Sequence, residues 1–280
     1  RHTRASVLIE GESGTGKELV ARAIHADQGP FIAVNMAAIP DELADSELFG
    51  HRRGAFTGAV QDRRGLVAEA QGGTLFLDEV NSMSPRIQAK LLRVIQEKKI
   101  RPIGGDREYE VDFRIISAAN DKLEKLVQDG KFRRDLYHRL RILGTTLPPL
   151  RERIEDIPLL AQQFVQHYSR SHGKRVRQIQ PDALYFLQQM EWRGNVRELE
   201  NLIEAAVILC DDSVMEITVS MLSHVANDVI DAEETEQGAA LTLAEAERVH
   251  VRRVLSMTSG NKTRAAKLLG IDYKTLLRRL

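Results

Sequence analysis

Residues 7–25 read VLIEGESGTGKELVARAIH: a short apolar run, then Gly11, four residues, Gly16 and Lys17, then an amphipathic segment. Few patterns restrict a fold more, because a strand must run into a loop whose glycines take backbone angles closed to other residues, and that loop must open onto a helix. In such a turn the backbone N–H groups of Gly11, Glu12, Ser13, Gly14, Thr15 and Gly16 converge on a phosphate. The helix N-terminus adds its dipole, and Lys17 reaches the outer phosphates. The same letters also fit a tight strand-to-helix turn with an exposed lysine. Glu18 stands where the general motif has a Ser or Thr to ligate magnesium.

The surrounding text supports the phosphate reading. "SVLIE", "FIAVN", "GTLFLDEV" and "FRIISAAN" read as buried strands, with helical patterns such as "KELVARAIHA" and "SPRIQAKLLRVIQEKK" between them. Strands joined by helical crossovers predict an α/β fold with a parallel, doubly wound sheet over residues 1–147. Ser84 and Pro85 form a helix start signal. The paired prolines of "LPPLRERIEDIP" end the alternation. Residues 148–223 then have only helical periodicity and predict a second, all-helical piece. Residues 224–240 hold five acids and no Lys or Arg, the composition of a solvated linker.

In "GGTLFLDEV" an apolar run ends on Asp78 and Glu79. At the carboxyl end of a buried parallel strand, beside the phosphate loop, Asp78 can hold magnesium and Glu79 can polarise an attacking water. Two solvated acids at a strand end are the plainer account. The loop and the pair occurring in order make the nucleotide site the stronger one.

The chain carries forty basic and forty acidic residues, but residues 241–280 hold nine basic against three acidic, a net +6 that leaves −6 on the rest. Thr242 and Glu245 have capping-box spacing, and "NKTRAAKLLGIDYKTLLRRL" suggests two short helices about Gly270. That is helix-turn-helix spacing on a basic segment. Tyr273, Lys274, Thr275 and Arg278 are placed to face a major groove, with Lys262 and Arg264 on backbone phosphates. The single cysteine, Cys210, and the lack of any apolar run of membrane-spanning length favour a cytoplasmic protein without membrane contact. Arg1 lies just ahead of a strand and Leu280 inside a helical pattern, so both ends are expected to be cuts in a longer chain.

"GESGTGKE", "ELFGHRRGAFTGA", "GGTLFLDE", "FRRDLYHRL", "LPPLRER" and "GNVRELEN", in that order, closely resemble the AAA+ ATPase domain of bacterial enhancer-binding proteins, the NtrC-like activators of sigma-54 RNA polymerase. The resemblance covers nearly the whole chain and makes Glu18 the usual residue. It implies ATP and Mg2+ as cofactors, a P-loop NTPase core with a helical lid, and a Fis-type helix-turn-helix at 241–280 that dimerises on upstream enhancer double-stranded DNA. It further implies a self-assembled ring, typically a hexamer, that remodels the sigma-54 holoenzyme from closed to open complex. A preceding regulatory domain, absent from this chain, would receive the signal, as in two-component systems. By the same resemblance Asn35 restrains Glu79, Arg133 and Arg139 reach a neighbouring subunit's nucleotide, Arg197 senses nucleotide from the lid, and Asn120 closes a strand near the phosphates. Ala119, where Thr is common, and Arg193, where Pro is usual, depart from the pattern.

The Gly-bounded stretch Gly54, Ala55, Phe56, Thr57, Gly58 and Ala59 matches the family's sigma-contact loop, with Phe56 and Thr57 touching the sigma factor. From the residues alone, Phe56 is either an exposed anchor for a partner or the centre of a small satellite core. A DNA-binding regulator with a vestigial AAA+ core and a different AAA+ motor are the competing functions. The first fits the complete loop and intact Asp78–Glu79 pair poorly, and the second leaves the loop and tail unexplained.

Overall fold

The chain first runs through β1 (Val7–Glu10), α1 (Lys17–His25), β2 (Phe31–Asn35) and α2 (Asp41–Phe49). A short hairpin of β3 (Gly50–His51) and β4 (Arg63–Arg64) follows, then α3 (Leu66–Glu69), β5 (Thr74–Asp78) and α4 (Pro85–Glu97). A second hairpin, β6 (Lys99–Ile100) and β7 (Tyr109–Glu110), leads into β8 (Arg114–Ala119), α5 (Leu123–Gln128), α6 (Arg134–Leu140) and β9 (Leu143–Thr146). The computed structural model describes residues 4–27, 29–211 and 213–226, together with Lys262 and Ala266.

One parallel sheet has the order β2-β5-β8-β1-β9, so the chain winds outward to both sides of β1 and β8. The four anticipated strands are all present. The fifth, β9, was not legible: its residues are exposed throughout on the sheet edge, and an edge strand without an apolar face leaves no periodic trace. Alternation along β5 divides the interior. Leu75 and Leu77 join Leu8, Leu91 and Leu136 on one face, while Phe76 joins Ile9, Ala21 and Ile116 on the other. Strands covered on both faces read as unbroken apolar runs, the pattern that identified β1, β5 and β8; β2, expected to be buried as well, lies at the other edge of the sheet with only Val34 buried.

Helix α4 begins at Pro85 as anticipated. The Ser84 carbonyl accepts from Gln88 N (3.0 Å), although the Ser84 hydroxyl makes no capping bond. Its buried Ile87, Leu91 and Val94 fall on one stripe against the sheet.

The lid comprises α7 (Ile157–Ser171), β10 (Gln178–Ile179), α8 (Pro181–Gln188), α9 (Asn195–Leu209) and β11 (Glu216–Ile217). It is helical as expected, with one addition: β10 and β11 pair in a two-residue parallel ladder too short to leave a sequence signal. Trp192 is 1% exposed and donates its indole N–H to Leu187 O at 2.8 Å. Trp192→Ala is expected to destabilise the protein by about 3–5 kcal/mol through the cavity it leaves, seen as a lower denaturant midpoint.

Contacts group residues 1–222 into one unit and 223–280 into another. In the second unit Lys262 is helical and exposed and Ala266 is helical and buried. The expected DNA-facing residues Arg264, Tyr273, Lys274, Thr275 and Arg278 lie outside the described residues.

Candidate nucleotide-binding site

The loop 11–16 leaves β1 and enters α1 through glycines in backbone regions that L side chains rarely occupy: Gly11 (φ +155), Gly14 (φ +76) and Gly16 (φ +95). Lys17, 6% exposed, folds under the loop and donates to Gly11 O (2.7 Å), Glu12 O (2.9 Å) and Asn120 Oδ1 (2.6 Å). Asn120 sits at the end of β8, with its backbone N–H on Asn81 Oδ1 (3.3 Å). Asp78 ends β5, one strand further along the sheet, and Glu79 follows it. The carboxyl ends of three parallel strands thus meet at the helix N-terminus, where doubly wound sheets bind ligands.

Electrostatics at this end are unsettled by burial. Burial pushes the Lys17 ammonium below its usual pKa despite the nearby Asp78 and Glu79, and pushes the Asp78 carboxyl above its usual range despite Lys17. A polyphosphate would relieve the lysine and a divalent cation the aspartate, so these residues suit a magnesium nucleotide. Glu79 occupies the left-handed region (φ +54), where an L residue costs roughly 1–2 kcal/mol. Its N–H bonds to Asp78 Oδ1 at 2.9 Å, and its carbonyl accepts from Ser82 N, which turns the chain off the strand.

The remaining expected residues divide. Arg197 reaches from α9 to Ser13 Oγ (3.2 Å), so the lid arginine meets the phosphate loop. Asn35 is not hydrogen-bonded to Glu79 in this structure. Its amide oxygen accepts from Ala37 N (2.9 Å) and Ala38 N (3.3 Å), making a turn, although its backbone registers with Asp78. Arg133 makes a forked pair with Asp135 on the surface, and Glu18 pairs with Arg22 one helical turn on. Arg139 is exposed near the end of α6. Ala119 is fully buried, and Arg193 is exposed beside Glu191.

Three residues that sequence reasoning passed over hold the site together. Asn81 joins the strand ends through Asn120. Arg151 donates to both carboxylate oxygens of Glu12 (2.8 and 2.5 Å), and Asn195, fully buried at φ +57, donates to Glu12 Oε2 (3.2 Å) and Ser13 O (2.9 Å). The Gly194–Asn195 dipeptide was the signal available, since Asn follows only Gly in tolerating that conformation.

The loop 54–59 crosses the tip of the first hairpin. Gly54 N donates to Ala59 O (2.8 Å) and Ala59 N to Phe56 O (3.0 Å), with Gly54 (φ +80) and Gly58 (φ +99) permitting the reversal. Phe56 is 41% exposed, between the two sequence expectations: its ring lies edge-on to His51 at 5.0 Å, and His51 bonds Ser46 Oγ on α2 at 2.7 Å. Ala59 is buried. Beneath the loop Gly104 (φ +68) in the second hairpin approaches so closely that an added Cβ would lie 2.8 Å from the Ala55 Cβ. A cavity of about 530 Å3 opens between the two hairpins, lined in part by Phe49, His51, Ile100 and Tyr109.

A glycine loop over a buried lysine, two acids at the end of a nearby parallel strand and a lid arginine together define an AAA+ nucleotide domain. Residues 1–146 match the sigma-54 interaction domain family, residues 151–239 the AAA+ ATPase lid domain, and residues 242–280 the bacterial regulatory protein, Fis family. The chain belongs to the sigma-54 interaction domain family. It is 45% identical over 280 residues to the transcriptional regulatory protein ZraR of Klebsiella oxytoca, covering 99% of this chain and 63% of that protein. It is 47% identical over 278 residues to the nitrogen fixation protein VnfA of Azotobacter vinelandii, covering 98% and 53%. The chain therefore spans roughly half to two thirds of these relatives. Among solved structures, NtrX from Brucella abortus in complex with ATP superposes with a TM-score of 0.73 at 35% identity, over 99% of this chain and 63% of that one. A RuvB mutant from Thermotoga maritima, at 14% identity and a TM-score of 0.51 over 97% and 76%, shares the fold.

Proposed function

We propose that this chain hydrolyses ATP and uses the cycle to drive the Phe56 loop against sigma-54 RNA polymerase, opening a promoter from an upstream DNA site. The observation that carries this is the convergence of Lys17, Asn120, Asp78 and Glu79 at one end of the sheet, with α2 leading from that end into the hairpin bearing Phe56.

In this reading the N–H groups of residues 11–16 cradle the phosphates, Lys17 exchanges its carbonyl partners for phosphate oxygens, and Arg197 adds charge from the lid. Asp78 would hold magnesium, which when bound neutralises charge on the phosphates. Glu79 draws a proton from the attacking water. Asn35, occupied here with Ala37 and Ala38, turns to restrain Glu79 in another stage of the cycle. A movement at Asn35 passes through α2 to Ser46, His51 and Phe56, raising or retracting the loop. Arg133 and Arg139 act on a neighbouring protomer's nucleotide within a ring, taken to be a hexamer. The boundaries 1–147, 148–223, 224–240 and 241–280 describe core, lid, linker and a DNA-binding domain acting in dimers, except that residues 224–226, expected to open a solvated linker, are helical with Val225 and Ala226 buried. Lys262, Arg264, Tyr273, Lys274, Thr275 and Arg278 contact enhancer DNA in the cytoplasm.

The test is open-complex formation by sigma-54 polymerase on supercoiled promoter DNA, with ATP against a non-hydrolysable analogue. Thr57→Ala is expected to retain ATP hydrolysis within about threefold while open complexes fall at least tenfold, a loss of 1.4 kcal/mol or more in coupling. Equal loss of both activities would make the loop a structural element.

A further inference from the structure

An acid inside a phosphate-cradling loop needs an explanation, since a carboxylate there repels the polyphosphate that the loop attracts. Glu12 is such an acid, and its surroundings supply one. Arg151, just past the proline pair that opens the lid, grips both Glu12 carboxylate oxygens in a fork (2.8 and 2.5 Å). Asn195, at the start of α9, donates to the same carboxylate and to the next carbonyl, Ser13 O, while its own side-chain oxygen accepts from Leu150 N (2.8 Å). Asn195 thereby ties Glu12 to the chain segment that carries Arg151.

The lid holds the neighbouring loop residues as well. Val196 N and Arg197 N donate to Gly14 O (3.0 and 3.3 Å), and Arg153 donates to Thr15 O (3.0 Å). Gly14 lies so near that a Cβ there would come within 2.1 Å of Gly194 O. Four consecutive loop residues are thus fastened from the lid, and Glu12 is the one fastened by charge.

Accepting the ATP site proposed above, we propose that Arg151 and Asn195 are positioning residues that draw the Glu12 carboxylate toward the lid and away from the nucleotide phosphates, coupling lid docking to phosphate binding. The Arg–carboxylate fork supplies both neutralisation and direction, which a lysine at position 151 provides less well. Neither residue touches the reacting atoms. Their effect passes through Glu12.

The design separates this role from a purely structural one. If Arg151 serves to silence Glu12, then removing the charge it silences restores what its loss took away. With the full chain and a fluorescent ADP analogue, Arg151→Gln is expected to raise Kd about tenfold or more. Adding Glu12→Gln to that variant should return Kd to within about threefold of wild type, while the lid, having lost its clamp, melts earlier. Arg151→Lys should fall between wild type and Arg151→Gln, and carries the test if Arg151→Gln does not fold.

A double variant binding no better than Arg151→Gln, or Arg151→Gln binding like wild type, would overturn the clamp while leaving the nucleotide site in place. Wild-type protein that binds no adenine nucleotide would instead remove the site itself, and the clamp with it.

Discussion

Replacing Glu79 by Gln should lower steady-state ATP hydrolysis by about 10²–10⁴-fold while leaving nucleotide binding nearly intact, because general-base help of that size is lost with the carboxylate. The substitution is close to isosteric and keeps the left-handed backbone at φ +54 no worse than before. Its N–H still bonds Asp78 Oδ1, so the strand end retains its shape. Phosphate release and the Kd of a fluorescent ADP analogue, measured on the same preparation, check it. Should hydrolysis persist within a few-fold, water activation would have to come from elsewhere.

The second large effect concerns Arg133 and Arg139. Each to Ala is expected to cost about 10³–10⁵ in hydrolysis, the worth of an arginine supplied to a transferring phosphoryl group. Arg133 is exposed and forked onto Asp135, which leaves its guanidinium at the protein surface. Reaching a neighbour's nucleotide requires only exchange of one exposed carboxylate partner, a pair worth roughly 0–1 kcal/mol. The measurement that decides is complementation. Arg133→Ala protomers keep Glu79, and Glu79→Gln protomers keep Arg133, so mixing two inactive proteins should regain hydrolysis at interfaces where each supplies what the other lacks. Mixtures as inactive as their components would mean that the arginines act within one protomer or only hold the fold.

The parts of this architecture that left a periodic or compositional trace were legible before any coordinates. The strands buried on both faces, the glycine loop, the acid pair ending β5 and the helix opened by Pro85 all fall in this group. Edge strand β9 and the lid ladder were not, because exposed edge residues and a two-residue pairing carry no pattern. At the site, Lys17, Asp78 and Glu79 were readable because their chemistry fixes their spacing from regular elements. Arg151 and Asn195 were not. They reach Glu12 across 139 and 183 residues of chain, and although Gly194–Asn195 marks a turn, nothing local in the sequence announces which distant residue it will meet. Asn35 shows the converse: its resemblance implied a role toward Glu79, whereas its hydrogen bonds in this structure are those of an ordinary turn.

Ala55 rests on Gly104 with no room for a methyl group between the hairpins. The two therefore mesh like teeth with zero clearance. Under the loop movement proposed above, a stroke toward the turn at 104 would have to push that turn ahead, and glycine at 104 is what lets the two hairpins sit this close.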